Sequence, residues 1–252
     1  MSPSIDSREN REFAAELKFV VTRPLAESIR AWARTRLAPD PNAGGVASDG
    51  YQITSLYFDT KRFDVFHQRG SYGRSKFRVR RYGANPVVFL ERKLKTHGLV
   101  AKRRSPVRLD ELARLDEAEP LRAWAGRWYH QRLRLRALTP ICQISYCRTA
   151  RVAMTANGPI RLTIDENVRA LPATGLYFNL RDDGVLLRED PIIVELKFRF
   201  ETPILFKELV ERFRLNAQSI SKYRKAVATL GFVPDVAAAV AHPIARASCQ
   251  NS

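Results

Sequence analysis

The chain is short of acid. Against 43 Lys and Arg it sets only 26 Asp and Glu, a formal net charge of +17 over 252 residues. So large an excess implies an anionic partner, whether nucleic acid, polyphosphate, a nucleotide or an anionic membrane surface. Cysteine is also scarce. Cys142, Cys147 and Cys249 are odd in number and form no CxxC pair, which excludes a disulfide framework and a zinc ribbon and suits a reducing cytoplasm. His67, His97, His130 and His242 are scattered without metal-ligand spacing and read as structural or surface groups. No apolar run approaches the roughly 18 to 20 residues that a membrane helix needs, and the polar residues 1–10 do not resemble a signal peptide. The expectation is a cytoplasmic protein that meets a membrane only through an unidentified membrane-bound partner. No internal repeat and no linker divides the chain. One domain over residues 11–232 is expected, with flexible tails at 1–10 and 233–252.

What the chain does have is charge at every second position of short apolar segments. Glu16-Leu17-Lys18-Phe19, Lys76-Phe77-Arg78-Val79-Arg80, Phe89-Leu90-Glu91-Arg92-Lys93, Arg161-Leu162-Thr163-Ile164-Asp165 and Val194-Glu195-Leu196-Lys197-Phe198 all show it. Side chains alternate across a strand, so each segment puts charge on one face and apolar groups on the other. One such strand would turn its charges to water. Five of them predict an α+β fold in which a closed antiparallel β-barrel lines its bore with charge and packs its apolar face under helices. Residues 71–108 hold twelve Lys or Arg and one acidic residue, Glu91, the densest basic stretch in the sequence.

The periodicity predicts strands at 13–21, 51–58, 75–82, 87–95, 141–153, 160–165 and 192–199, with 75–82 and 87–95 forming a hairpin across Gly83-Ala84-Asn85-Pro86. Asn157-Gly158 marks a second tight turn. Pro24 opens a helix running to about Leu37, and 38–50 is a loop. Residues 110–138 read as helical with a break near Pro120. There Trp124, Trp128 and Leu135 face the core, and Arg122, Arg127, Arg132, Arg134 and Arg136 form a solvated face. Residues 172–190 are loop. Thr202-Pro203 supplies the cap and first residue of a helix at 203–214, and a last helix over 219–230 stops at Gly231.

In order along the chain, Lys18, Arg78-Val-Arg80, Glu91-Arg-Lys93, Tyr146-Cys-Arg148, Arg161-Leu-Thr-Ile-Asp165, Glu195-Leu-Lys197 and Ser221-Lys222 resemble the VTC polyphosphate polymerase domain of the triphosphate tunnel metalloenzymes. The resemblance spans about 11–231. It implies a metal-dependent transfer of the γ-phosphate of ATP to a growing polyphosphate chain inside a triphosphate tunnel. Lys18, Arg78, Arg80, Lys93, Arg148 and Lys222 then carry catalysis, and Tyr146, Arg161, Lys197 and Ser221 bind substrate. Lys102 or Arg103 adds a further contact, the alternation admitting either. Several donors around one chain of phosphates suit a polyanion, and Arg binds phosphate bidentately. Glu195 is implied as the ligand of Mn2+ or Mg2+; its alternative is a salt bridge to a neighbouring base.

Two positions depart from the hydrolytic members, which begin E-x-E-x-K. Here Ala14 precedes Glu16 and Lys18, and Ile193 precedes Glu195. Hydrolysis needs carboxylates to hold metal and orient water, so the acid-poor inventory leans toward transfer. The eukaryotic complexes add an SPX domain and membrane helices, and neither stands in these 252 residues. Two alternatives stay open: a metal-dependent triphosphatase in the same tunnel, and a non-catalytic binder of RNA or polyphosphate. The interleaved Glu91, Asp165 and Glu195 weaken a pure polyanion binder, so no nucleic-acid partner is expected.

Overall fold

A computed structural model of the chain describes residues 14–41, 49–96, 99–181 and 183–233. Residues 1–10 and 234–252 of the expected tails, with Cys249, His97 and His242, lie outside the described residues, whereas Val233, expected in the tail, is buried in the core. The alternating segments form strands: β1 (Ala15–Val21), β2 (Ala38–Pro39), β3 (Gly50–Asp59), β4 (Ser75–Tyr82), β5 (Val87–Thr96), β6 (Leu99–Arg108), β7 (Thr139–Thr155), β8 (Gly158–Pro172), β9 (Val185–Leu186) and β10 (Ile192–Phe198). They join one antiparallel sheet in the order β1-β10-β8-β7-β3-β4-β5-β6, with β2 and β9 as short side pairings. The β4–β5 hairpin turns where expected. Gly83 sits there at φ +50°, a backbone that an L side chain seldom adopts.

The expected closed barrel is not what forms. Among the described residues the sheet is an open, curled path whose edge strands β1 and β6 meet at one bridge, Ala14 with Val100, joined by two hydrogen bonds of 3.1 Å. Pro106 has no N–H to give, and successive Lys102, Arg103 and Arg104 crowd charge onto the same edge. Both features discourage a strand from pairing further.

Helices α1 (Arg23–Arg34) and α3 (Ile204–Arg212) cover the apolar face of β1, β10 and β8. Ala26, Ile29, Trp32 and Ala33 recur at helical spacing in α1 and meet Phe19, Leu162, Ile164, Val194 and Leu196, the apolar members of the alternating segments. Helix α3 begins one residue later than expected, with Pro203 at its cap. Helix α2 (Arg127–Leu135) buries Tyr129, whose ring lies 5.9 Å from Phe58 and 5.7 Å from Phe77. Its inward face is Tyr129, His130 and Leu133, which leaves Leu135 76% exposed and corrects its placement in the core. Before it, residues 109–116 form 3-10 turns, so the expected long helix is a short one.

Helix α4 (Lys222–Thr229) departs from the expectation that every helix packs outside. Its Tyr223 stacks on Tyr57 at 5.6 Å and donates to buried Asp59 at 2.6 Å. Tyr57 stands opposite Arg78 in the sheet, on the charged face. Helix α4 therefore lies against the concave surface, with Ser221 on Lys76 and Lys222 on Asp165.

Candidate active site

Cross-strand register aligns the charged positions on one face. Lys18 stands opposite Glu195, which stands opposite Thr163; Asp165 stands opposite Arg148; Arg78 opposite Glu91, and Glu91 opposite Arg104. Directly opposed residues share a face, so the concave side carries all of them.

Three carboxylate-centred clusters result. Glu91, 1% exposed, receives the Arg78 guanidinium at 2.7 Å through both Nε and an Nη, and lies 3.4 Å from Lys102 and 3.2 Å from Arg104. Beside it Arg78 donates to the Tyr57 hydroxyl at 3.1 Å. In the second, Lys18 bridges Glu195 (3.2 Å) and Glu16 (3.5 Å), and Lys93 reaches Glu16 at 2.6 Å. In the third, Arg148 grips Asp165 bidentately at 2.6 and 2.7 Å, and Lys222 adds 2.6 Å to the same carboxylate. Tyr146 lies between these groups. Its hydroxyl accepts from Arg80 at 2.7 Å, and the Lys222 ammonium sits 5.0 Å over its ring.

Electrostatics follow from this packing. Burial would raise the carboxyl of Glu91, yet Arg78, Lys102, Arg80 and Arg104 hold it well below the ordinary value. Burial likewise opposes the charged form of Glu195, but Lys18, Lys93, Arg148 and Lys222 bring it well below that range. Asp165 is brought down to about 2 against burial by Arg148 and Lys222. Among the lysines, burial pulls Lys18 down while Glu195 and Glu16 more than reverse it. Lys102 falls to about 8, chiefly through burial.

The sequence-derived residues are largely brought together. Lys18, Arg78, Arg80, Lys93, Arg148, Tyr146, Lys222 and Glu195 contribute to the three clusters, and Ser221 caps α4 by accepting from the Arg224 N–H at 3.3 Å. Arg161 and Lys197 pair across β8 and β10 near a cavity of about 200 Å3, away from Glu91 in register. Arg161 there bonds Tyr51 at 2.8 Å and Asp40 at 2.9 Å. The choice between Lys102 and Arg103 falls to Lys102. Arg103 turns to the other face, its guanidinium 4.2 Å over the Trp128 ring of α2, which corrects its place among the substrate contacts. Residues not singled out are Lys76, whose ammonium donates to Ser221 at 2.8 Å, Arg104, Glu16 and Thr163. Period-2 parity already sets Glu16, Lys76 and Thr163 on the charged face of their segments without giving them a role, and the same parity would have found Arg104, which follows Lys102 by two.

Among the described residues no group of three or more His, Cys, Asp or Glu stands together. Glu195 thus stands with at most one other such group. Opposite it the Thr163 hydroxyl is buried without a hydrogen-bond partner. This donor set fits an ion such as Mg2+, which takes one or two carboxylates and completes its shell with water and substrate phosphates.

The family model described as the VTC domain matches residues 13–231. No curated protein matches the chain. Among solved structures, a proposed adenylate cyclase from Bacillus halodurans is 15% identical, with 84% of this chain and 95% of that one covered at a TM-score of 0.53. That likeness is one of fold alone. A proposed adenylyl cyclase from Hippeastrum, described as having a dominant triphosphatase activity, is 17% identical over 87% of this chain and 96% of that one, with a TM-score of 0.46. Among the described residues no helix is long and apolar enough to cross a membrane.

Proposed function

We propose, from the premise that this chain belongs to the VTC-domain family, that it is a metal-dependent polyphosphate polymerase using ATP. The observation that carries the reading is the inventory of the concave face. Its Lys and Arg outnumber the carboxylates Glu16, Glu91, Asp165 and Glu195 by more than two to one, and every one of those carboxylates is already tied to a base. Such a surface is left with positive charge for a long polyanion to neutralise.

In this reading Arg78, Arg80 and Lys93 hold the triphosphate of ATP, and Arg148, Lys18 and Lys222 orient the end of the chain. A terminal oxygen of the polyphosphate attacks the γ-phosphorus in line. One P–O bond forms, the bond from the γ-phosphorus to the β,γ-bridging oxygen breaks, and ADP leaves with that electron pair. No proton has to move, because the nucleophile is an anion already. Catalysis then rests on positioning and on stabilising charge. Glu195 would hold the divalent ion, Mn2+ or Mg2+, whose contribution when bound is to neutralise phosphate oxygens. Tyr146, Lys102 and Ser221 add hydrogen bonds to phosphate, and Arg161 and Lys197 extend the basic track toward one mouth.

The test is incubation of purified protein with ATP and Mn2+, with the product run on a polyphosphate-staining gel while ADP and phosphate are assayed. A ladder with matching ADP supports the reading. Phosphate without polymer would replace it by a triphosphatase, and no turnover with any divalent metal would replace it by a binding protein.

A further inference from the structure

Lys76 differs from every other lysine of the three clusters. Its ammonium meets a neutral hydroxyl, Ser221 Oγ at 2.8 Å, and among the described residues it makes no ion pair. The charged groups around it are cations from each neighbouring element: Lys18 of β1, Arg78 of its own strand, Lys93 directly opposite on β5, and Arg224 of α4. Lys102 stands beyond Lys93 on β6. On β3, Tyr57 is bonded to Arg78, and the Asp59 carboxylate is spent on the N–H groups of Thr60, Val65 and Phe66 and on the Tyr223 hydroxyl. Glu16, Glu195 and Asp165 are each bound to other bases, Asp165 to Lys222 among them. A half-buried amine so placed has nothing to balance its charge. Burial and the four cations bring Lys76 down to about 7.

We infer that Lys76, hydrogen-bonded to Ser221, is a proton-linked phosphate subsite: it is partly neutral in the free protein and takes up a proton when a phosphate chain arrives. The inference rests on the reading of the concave face as a polyphosphate site and adds a titrating group to it. An incoming polyanion supplies the missing counter-charge and neutralises Lys18, Lys93 and Arg78 at the same time. The amine then returns toward the ordinary lysine range and donates to a phosphate oxygen. Moving from about 7 to that range takes up about half a proton at pH 7, about 0.9 at pH 8 and about 0.1 at pH 6. Affinity for phosphate chains therefore falls as pH rises above neutrality, beyond the change that the ligand's own titration produces.

The experiment is calorimetric titration of the full chain with tripolyphosphate, in EDTA, at pH 6, 7 and 8 in buffers of different ionisation enthalpy, for wild type and Lys76→Arg. Tripolyphosphate releases protons of its own, equally in both proteins, so the difference between them reports Lys76. The expected result is binding by both proteins, with Lys76→Arg taking up about 0.9 fewer protons at pH 8 and nearly the same number at pH 6. Lys76→Gln gives an independent comparison should arginine distort the site. It lacks the same uptake and binds about tenfold more weakly, the loss of one charge-assisted hydrogen bond. Equal proton uptake in wild type and both variants, with binding intact, overturns the inference and leaves the polyphosphate reading standing. Failure of the wild type to bind tripolyphosphate overturns both.

Discussion

Replacing Glu91 by Gln should have two effects of opposite sign. Glu91 is 1% exposed and serves three bases, with Arg78 at 2.7 Å, Arg104 at 3.2 Å and Lys102 at 3.4 Å. An amide keeps the size and some hydrogen bonding but leaves those cations facing one another. Breaking a buried pair on one side costs about 3 to 5 kcal/mol, and the part-exposure of Lys102 and Arg104 puts this site near the lower end. For a chain of this length about 3 kcal/mol lowers Tm by roughly 6 to 12 °C. The same substitution removes one negative charge from a site proposed to bind a polyanion. At an effective dielectric of about 20 and a separation of about 8 Å, that charge contributes about 2 kcal/mol of repulsion, roughly thirtyfold in Kd. Thermal melts with and without tripolyphosphate in EDTA check both effects at once. Glu91→Gln should melt lower alone and show the larger ligand-induced rise. A variant that melts like wild type would refute the ion-pair argument. A smaller rise would mean that Glu91 helps to hold the ligand, and would refute the electrostatic one.

Three further outcomes are expected. Arg78→Ala and Lys222→Ala should each abolish polymer synthesis from ATP while leaving the circular dichroism spectrum unchanged; an active, folded Arg78→Ala protein would remove Arg78 from the site. Lys102→Ala should cut synthesis at least tenfold, the loss of one charge-assisted contact, whereas Arg103→Ala, lying over Trp128 on the outer face, should leave the rate within about twofold and cost only a cation–π contact of roughly 1 kcal/mol in denaturant titrations. Asp165 has its carboxyl held at about 2 in the fold against an ordinary 3.8, so its contribution is fully present above about pH 4 and is lost as pH falls toward 2. It amounts to about 2 kcal/mol. Urea titrations of Asp165→Asn and wild type should therefore converge below pH 4, and parallel stability curves down to pH 2 would refute the assignment.

The strands that carry charge at alternate positions were readable because burial on one face fixes register: slipping β10 by one residue would bury Glu195 and Lys197 among Phe19 and Leu162. Those strands begin and end within a few residues of expectation, apart from β8, which runs on to Pro172. Strand β6 was not readable. Its sequence, LVAKRRSPVR, sets three bases in a row and carries a proline, neither of which marks a strand. It exists because it sits at the sheet edge, where β5 pairs with it along its length, Ala14 adds one bridge at Val100, and proline costs no ladder bond. Closure was misread for the same reason, since the strand that would complete the barrel is the one least able to pair twice. The inward placement of α4 was hidden as well. Tyr223, Ala226 and Val227 make an ordinary apolar stripe, and only the buried Asp59, which pairs with Tyr223, shows which side of the sheet receives it.

The concave face also bears on the choice between transfer and hydrolysis. Activating water calls for a base whose pKa lies near working pH. Glu91, Glu195 and Asp165 are all held below the ordinary carboxylate range by the bases that grip them, which makes them poor proton acceptors. Lys76, brought to about 7, has the proton affinity that a base would need. Yet its low value comes from burial and from unneutralised neighbours, Lys18, Lys93, Arg224 and Arg78, and those cations are the ones that a bound phosphate chain would screen. With substrate in place the amine becomes a donor, and its capacity to accept a proton from water is lost when water would be the nucleophile. A phosphate oxygen needs no such acceptor. In the proposed reading, the arrangement that weakens hydrolysis leaves phosphoryl transfer to a growing chain unimpaired. On this argument Lys76→Arg, fixed as a cation, should keep polymer synthesis and depend less on pH between 7 and 8 than wild type, the remainder coming from Lys102 at about 8 and from the substrate. A collapse of synthesis in that variant at every pH, with tripolyphosphate binding intact, would instead make the neutral amine a participant in the chemistry.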